Sequence, residues 1–258
     1  MRNVIKTVTL TALLAASAYA GMGQILGSWP SPKYPNNIVV NGIAFEGEYI
    51  WIKSRSAEPG GVLKCTEAGS LVNEISLPYH GCGESSGLAF DGQYLWTIYY
   101  YTQLERWDHY VRYTTTGSQV GVFAAHHKPP YGDSRSVSWD GQYLWTDEWI
   151  QSNVTAGKYT TAGSLLGTFA MPYGWGTAGA YYNHQIWAGG GAYVYGMNIA
   201  GALVASFPAP GGSVRAVGFD GNYLWTADAN TPQYIYKVDI DVVDVGPGSF
   251  GKIKGMFR

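Results

Sequence analysis

The residues able to do chemistry fall in a few short segments that precede or follow apolar runs. They include Tyr79-His80-Gly81-Cys82-Gly83-Glu84, His126-His127-Lys128, Tyr131-Gly132-Asp133-Ser134-Arg135, Tyr173-Gly174-Trp175 and Val214-Arg215. A second set comprises Tyr99, Tyr100, Tyr101, Trp107, Asp147, Glu148, Trp149 and Asp228. Paired carboxylates among Glu84, Asp133, Asp147, Glu148 and Asp228 would suit acid/base hydrolysis of a glycosidic bond, provided their separation is right. The aromatic side chains suit a different task. Tyr99, Tyr100, Trp107, Tyr131, Trp149 and Trp175, flanked by Glu84, Asp133, Glu148, Arg135 and Arg215, would stack on sugar rings or unpaired bases, or anchor a protein contact. Ordinary loop packing accounts for the same residues. Metal ligation by His80 with His126 or His127 is disfavoured, because adjacent side chains in an extended chain point to opposite sides. No metal site, cofactor or catalytic residue is therefore assigned.

Cys65 and Cys82 are the only cysteines. In an oxidising compartment they are expected to form one disulfide, worth about 3 kcal/mol in the chain-entropy description. Two cysteines and one nearby histidine fall short of a zinc set.

The elements that must position these residues come from a repeat. Phe45-Glu46-Gly47-Glu48-Tyr49-Ile50-Trp51 returns as Phe90-Asp91-Gly92-Gln93-Tyr94-Leu95-Trp96, as Trp139-Asp140-Gly141-Gln142-Tyr143-Leu144-Trp145 and as Phe219-Asp220-Gly221-Asn222-Tyr223-Leu224-Trp225. A degenerate copy, Tyr182-Asn183-His184-Gln185-Ile186-Trp187, is one residue shorter. Successive tryptophans lie 45, 49, 42 and 38 residues apart, a spacing that indicates one supersecondary unit per copy. An Asp-Gly or Glu-Gly pair between alternating apolar residues predicts a hairpin with a two-residue turn. Tyr and Trp two apart share one sheet face, so they are core residues before they are anything else.

A second phrase comes after most hairpins. It runs from Gly69-Ser70-Leu71-Val72, Gly117-Ser118-Gln119-Val120, Gly163-Ser164-Leu165-Leu166 and Gly201-Ala202-Leu203-Val204, and a short third strand precedes each. Each unit is thus four antiparallel strands, the blade of a β-propeller. Five hairpins need five outer strands, but only four come after them. The fifth is expected from Gly23-Gln24-Ile25-Leu26-Gly27-Ser28-Trp29-Pro30-Ser31-Pro32, which matches Gly201 to Pro210 and would seal the ring. The fold class is all-β: a five-bladed propeller of four-stranded antiparallel blades over residues 21–245, closed by the N-terminal strand.

These repeats resemble the broad class of secreted bacterial propellers that includes the NHL, virginiamycin-B-lyase-like and glutamine-cyclotransferase-like proteins. The resemblance spans most of the chain but rests on hairpins and outer strands. It implies the architecture and carries over no catalytic residue.

The ends add compartment and partners. Arg2 and Lys6, the apolar run Val8 to Ala16, and Ala18-Tyr19-Ala20 read as a signal peptide over residues 1–20. The run is too short to span a bilayer, so a secreted, extracellular or cell-surface protein with no membrane span is expected. Removing Arg2 and Lys6 leaves 14 basic against 18 acidic side chains, which disfavours duplex and single-stranded nucleic acid alike as backbone-driven partners. Residues 246–258 form a tail with the hinge Gly246-Pro247-Gly248 and the cations Lys252, Lys254 and Arg258. The tail begins with the Gly-Ser of the outer strands, although blade five already has one. It can lie free or cover its own subunit, act as a basic tag, or add as a donor strand to a neighbour. Head-to-tail addition would give a homo-oligomer or filament. The composition therefore points to a non-catalytic structural or adhesive surface protein that self-associates. The alternatives are a glycan- or polymer-binding module using the aromatic loops, and a secreted hydrolase or lyase. Asn153-Val154-Thr155 matches a glycosylation acceptor.

Overall fold

The computed structural model describes residues 22–32, 39–54, 61–78, 85–100, 108–125, 132–150, 153–171, 179–182 and 184–240, apart from the side chains at 85, 86, 100, 132–135, 148–150 and 153. Five four-stranded antiparallel sheets stand around one axis. Blade one is β2 (Val40–Glu46), β3 (Tyr49–Ser54), β4 (Gly61–Thr66) and β5 (Leu71–Ser76). Blade two is β6 (Ser85–Phe90), β7 (Leu95–Tyr100), β8 (Asp108–Tyr113) and β9 (Gln119–Ala124). Blade three is β10 (Gly132–Trp139), β11 (Leu144–Ile150), β12 (Asn153–Tyr159) and β13 (Leu165–Ala170). Blade four is β14 (Gly179–Tyr182), β15 (Gln185–Gly190), β16 (Tyr193–Asn198) and β17 (Leu203–Pro208). Blade five takes β18 (Ala216–Phe219), β19 (Leu224–Ala227) and β20 (Tyr234–Asp239), and is completed by β1 (Gln24–Pro30).

The seam is therefore made as the repeat count requires. β1 pairs antiparallel with β20 from Gln24↔Asp239 to Pro30↔Tyr234, and β18 touches β2 to close the inner ring. Side-chain packing repeats the same cyclic rule. The glycine before each outer strand lies against the outer strand of the preceding blade. A Cβ on Gly163 (φ +88) would stand 2.6 Å from the Phe123 ring, and one on Gly23 (φ +85) would stand 2.7 Å from the Phe207 ring. Gly23 thus occupies in blade five the place that Gly163 occupies in blade three. Trp29 of β1 passes the seam in the other direction: its indole donates to the Glu67 carbonyl at 3.1 Å in blade one.

Four of the five hairpins are locked by an acidic residue. Asp140 Oδ1 accepts the N–H groups of Gln142 (2.8 Å) and Tyr143 (2.6 Å), while Oδ2 accepts the Trp145 indole N–H at 2.6 Å. Asp91 and Asp220 make the same three bonds, ending on Trp96 and Trp225 at 2.7 Å. This capping alters the turn that the sequence suggests. In these three blades the last full ladder pairs are Phe90↔Leu95, Trp139↔Leu144 and Phe219↔Leu224. The Asp N–H still bonds the Tyr carbonyl at 3.1–3.2 Å, but the Asp carboxylate takes the Tyr N–H that would return the bond. Blades one and four, where Glu46↔Tyr49 and Tyr182↔Gln185 pair, keep the complete two-residue turn. In blade one the longer Glu46 side chain stays in the strand and reaches Trp51 Nε1 at 2.7 Å.

A cation completes the lock. The residue directly across the ladder from each of these tryptophans is Lys64, Arg112, Lys158 or Lys237. Each cation lies over both the tyrosine and the tryptophan of the phrase. Lys158 Nζ is 4.0 Å from the Tyr143 ring centroid and 5.0 Å from that of Trp145. Lys64 also bonds Glu46 at 2.8 Å. Blade four has lost the whole set. Gly196 stands opposite Trp187, Gln185 replaces the tyrosine, and the buried Trp187 Nε1 has no partner among the described residues.

The cores lie between blades. Around Trp225 they include Ile50, Ile52, Leu63 and Cys65 of blade one. The expected Cys65–Cys82 disulfide is not formed, since Cys65 is a free, buried thiol. The register explains why. Cys65 pairs with Ile50 near the turn end of β4 and faces this apolar cluster, whereas β6 begins at Ser85 at the opposite end of its blade. Residue 82 itself lies outside the described residues. Burial pushes the Cys65 thiol up to about 12, which keeps it protonated and inert.

Replacing Asp140 with Ala should lower stability by about 1–3 kcal/mol, because it orphans the Trp145 indole and two turn N–H groups together. Chemical denaturation of D140A measures the loss. A change below about 0.5 kcal/mol would show that the carboxylate does not hold the hairpin.

Candidate functional site

The strand directions define two faces. The Asp-Gly turns and the Thr-Gly-Ser turns share one end of the ring, here the turn face. Connections from second to third strands and between blades share the other, the loop face.

Most of the residues singled out in the sequence belong to the loop face, and the structure places them unevenly. Glu84, Trp107, Tyr131 and Trp175 lie outside the described residues, as do His80, His126 and His127. Blade three brings four others to one strand end: Asp133 pairs with Trp149 and Ser134 with Glu148, with Arg135 next in line. Tyr100 pairs with Asp108 in blade two. Tyr99 is buried, not displayed. Its ring packs 6.4 Å from that of Tyr113, with Lys53 Nζ 5.9 Å from its centroid. Arg215 is half-buried at the head of β18, where its N–H bonds the Ala227 carbonyl at 2.7 Å.

Two of the carboxylates considered for acid/base work are structural pins. Asp147 is buried and accepts the Ser136 N–H of the neighbouring strand in a short bond. Asp228 is buried and accepts from Tyr234 N–H (3.0 Å), Tyr236 O–H (3.0 Å) and both nitrogens of Asn230. Burial first, and then this hydrogen bond, push the Tyr236 phenol up to about 12. Gln233 ties the same corner to blade one through Val40 N–H at 2.7 Å. Among the described residues, no three His, Cys, Asp or Glu side chains gather as a metal site.

Sequence reasoning passed over Lys53. It sits in β3 two residues after Trp51 and is fully buried, at 0% exposure. Desolvation brings its ammonium down to about 7. The only available signal was its position: the equivalent residues are Ile98, Asp147, Gly189 and Ala227, so a lysine here stands where most blades carry a small or apolar residue.

The axis itself is pinched. Gly42, Gly87, Ser136, Gly179 and Ala216 line a gap of about 10 Å³, close to the least that holds one water. Below the pinch, on the turn face, the ring opens into a funnel of about 450 Å³. One half-buried aromatic from each inner strand borders it: Phe45, Phe90, Trp139, Tyr182 and Phe219. The Tyr182 and Phe219 rings stack with centroids 3.6 Å apart. Asp140 and Asp220 stand at its rim.

The chain is a β-propeller. No family model matches the sequence, and no curated protein is similar to it by sequence comparison. Among solved structures, it is similar to the glutaminyl cyclase of Myxococcus xanthus, with a TM-score of 0.60 at 14% identity over 86% of this chain and 97% of that one. It is also similar to a gluconolactonase from Xanthomonas campestris, at 0.52 and 16% over 77% and 72%. A chain of a nidogen/laminin complex matches at 0.50 and 14% over 74% and 72%. Identities this low establish the fold alone, and they agree with the propeller class that the repeats resemble.

Because Lys53 in the folded state titrates near 7, well below its free value, the folded state binds fewer protons than the unfolded chain between about pH 7 and 10.5. Stability should therefore rise with pH through that window, and the burial penalty is largest below pH 7. Lys53→Met should raise the melting temperature more at pH 6 than at pH 10. An equal shift at both values would mean that Lys53 does not titrate in this way.

Proposed function

We propose that this chain is an extracellular, non-catalytic propeller that works by contact, as a structural or adhesive surface protein that associates with itself. The observation that carries the reading is a charge-free flank of outer strands. Residues 159–214 contain no Asp, Glu, Lys or Arg, and neither do residues 21–32. In the ring these segments are neighbours: they supply the outer strands β13, β17 and β1 of three consecutive blades, together with all of blade four.

Among the described strands, each outer strand has one ladder partner and lies at the rim of its blade. Leu166 (51% exposed), Leu203 (42%), Ile25 (49%) and Leu26 stand out along this flank, joined by Tyr193 and Ile199. Free edges are ordinarily blunted by lysine, proline or inward charge. Depletion of charge with retained aliphatic and tyrosine surface is instead the composition of an interface centre. A second copy of the same flank covers these exposed apolar side chains. The N-terminal signal-like segment supports placing this association outside the cell. Myxococcus glutaminyl cyclase and the Xanthomonas gluconolactonase are named as enzymes, but at these identities the likeness carries no activity across.

The test is a pair of charged substitutions, Leu166→Glu and Leu203→Lys, each at an exposed position that the ring does not need. Sedimentation of the parent should show species larger than a monomer that grow with concentration. Each variant should shift to monomer with an unchanged melting temperature. A parent that remains monomeric at high concentration, or variants that assemble as before, would overturn the reading.

A further inference from the structure

We infer that the axial funnel on the turn face is a docking site for the C-terminal segment, residues 248–258, of the same chain. This goes beyond the self-association reading and does not depend on it. Three observations converge on it.

The first is the funnel's construction. Its volume of about 450 Å³ lies in the range of small-ligand sites. Five half-buried aromatics border it, and the residue after four of them is acidic: Glu46, Asp91, Asp140 and Asp220. Each carboxylate already accepts a tryptophan N–H, yet a carboxylate offers about four acceptor positions. Each is only partly buried. The mouth thus presents aromatic side chains within and the carboxylates of Asp140 and Asp220 at its rim, while Glu46 is already paired with Lys64.

The second is complementarity. Gly248-Ser249-Phe250-Gly251-Lys252-Ile253-Lys254-Gly255-Met256-Phe257-Arg258 has three cations, no acidic side chain, and four large apolar residues between and beside them. It therefore matches the funnel in both charge and apolarity.

The third is where the chain leaves the ring. Val238 pairs with Leu224, the residue that ends the Asp220 turn, so β20 finishes on the turn face. From the third strand to the inner strand that borders the funnel is two inter-strand steps, roughly 10 Å. Residues 241–247 can span up to about 25 Å when extended. The segment reaches its own funnel with slack, and tethering holds it there at an effective concentration on the order of millimolar. β1 already fills the outer place in blade five.

The described blades are complete within residues 22–240, so a chain ending at Val245 keeps the ring. A synthetic peptide of residues 248–258 should bind that shortened chain at low salt. It should bind the full-length chain at least tenfold more weakly, because the tethered copy competes. Phe250→Ala with Phe257→Ala in the peptide, or Lys252, Lys254 and Arg258 all changed to Glu, should each weaken binding on the order of tenfold. Zero-length carboxylate–amine crosslinking of the intact chain, mixed from light and heavy isotope preparations, gives an independent reading. Lys252 or Lys254 should join Glu46, Glu48, Asp140 or Asp220 within one copy. The proposal is overturned by a peptide that ignores the shortened chain or binds both chains equally. Crosslinks between copies, or to an outer strand, also overturn it. Neither readout involves Leu166 or Leu203, so failure here is distinct from failure of the flank interface.

Discussion

The indole N–H of the repeated tryptophan, held by a carboxylate five residues earlier, is the interaction on which this ring depends. It joins the inner strand to the second strand of its own blade at the point where the hairpin reverses. The same carboxylate satisfies two turn N–H groups, so one side chain fixes the turn geometry, the register and the orientation of the largest core residue together. With the ring so oriented, the cation across the ladder settles over its face and that of the neighbouring tyrosine. A buried indole and a lysine nearer the surface are thereby tied into one unit. Ring faces attract cations by about 0.5–2 kcal/mol, and the arrangement recurs in four blades.

Blade four displays the consequence of losing that unit. Without the tyrosine and the cation, Trp187 lies against the bare backbone of Gly196, where a Cβ would come within 2.9 Å of the ring. The substitutions are coupled: a lysine opposite Trp187 would collide with the position that the indole has taken. The blade keeps its place through apolar packing instead, with Trp187, Val194, Phe207 and Leu224 in one cluster. The loss of the cation also strips the blade's outer surface of charge. The same blade thus holds an indole with no partner among the described residues and lies at the middle of the neutral flank.

The two faces of the ring have different physical characters. At the loop face, the described polar side chains are largely consumed by structure: Asp147, Asp228 and Gln233 bond the backbone of neighbouring strands and corners. At the turn face, the carboxylates also bond the backbone, but they stand at the rim of an aromatic-bordered opening. The pinch formed by Gly42, Gly87, Ser136 and Gly179 separates the two, because inner strands that approach this closely leave no room for side chains on the axis.

Strand alternation and the recurring phrase determine the blade count, the strand number per blade and the sealing role of Gln24–Pro30, because those depend only on local period and on matching copies. The aromatic residues were legible as core for the same reason. Partnership between distant strands lay beyond the linear pattern. That Lys64, Arg112, Lys158 and Lys237 face tryptophans comes from ladder register, which depends on the lengths of connections and not on composition. The free state of Cys65 is likewise a matter of which sheet face and which blade end it occupies, so nearness in sequence to Cys82 was a poor guide. Tyr99 and Asp228 looked like site residues because they end strands at a loop face, yet packing turned both inward. The funnel belongs to no single segment. It exists because five inner strands, each ending in an aromatic residue before its turn, converge on one axis, and only closure of the ring brings them there.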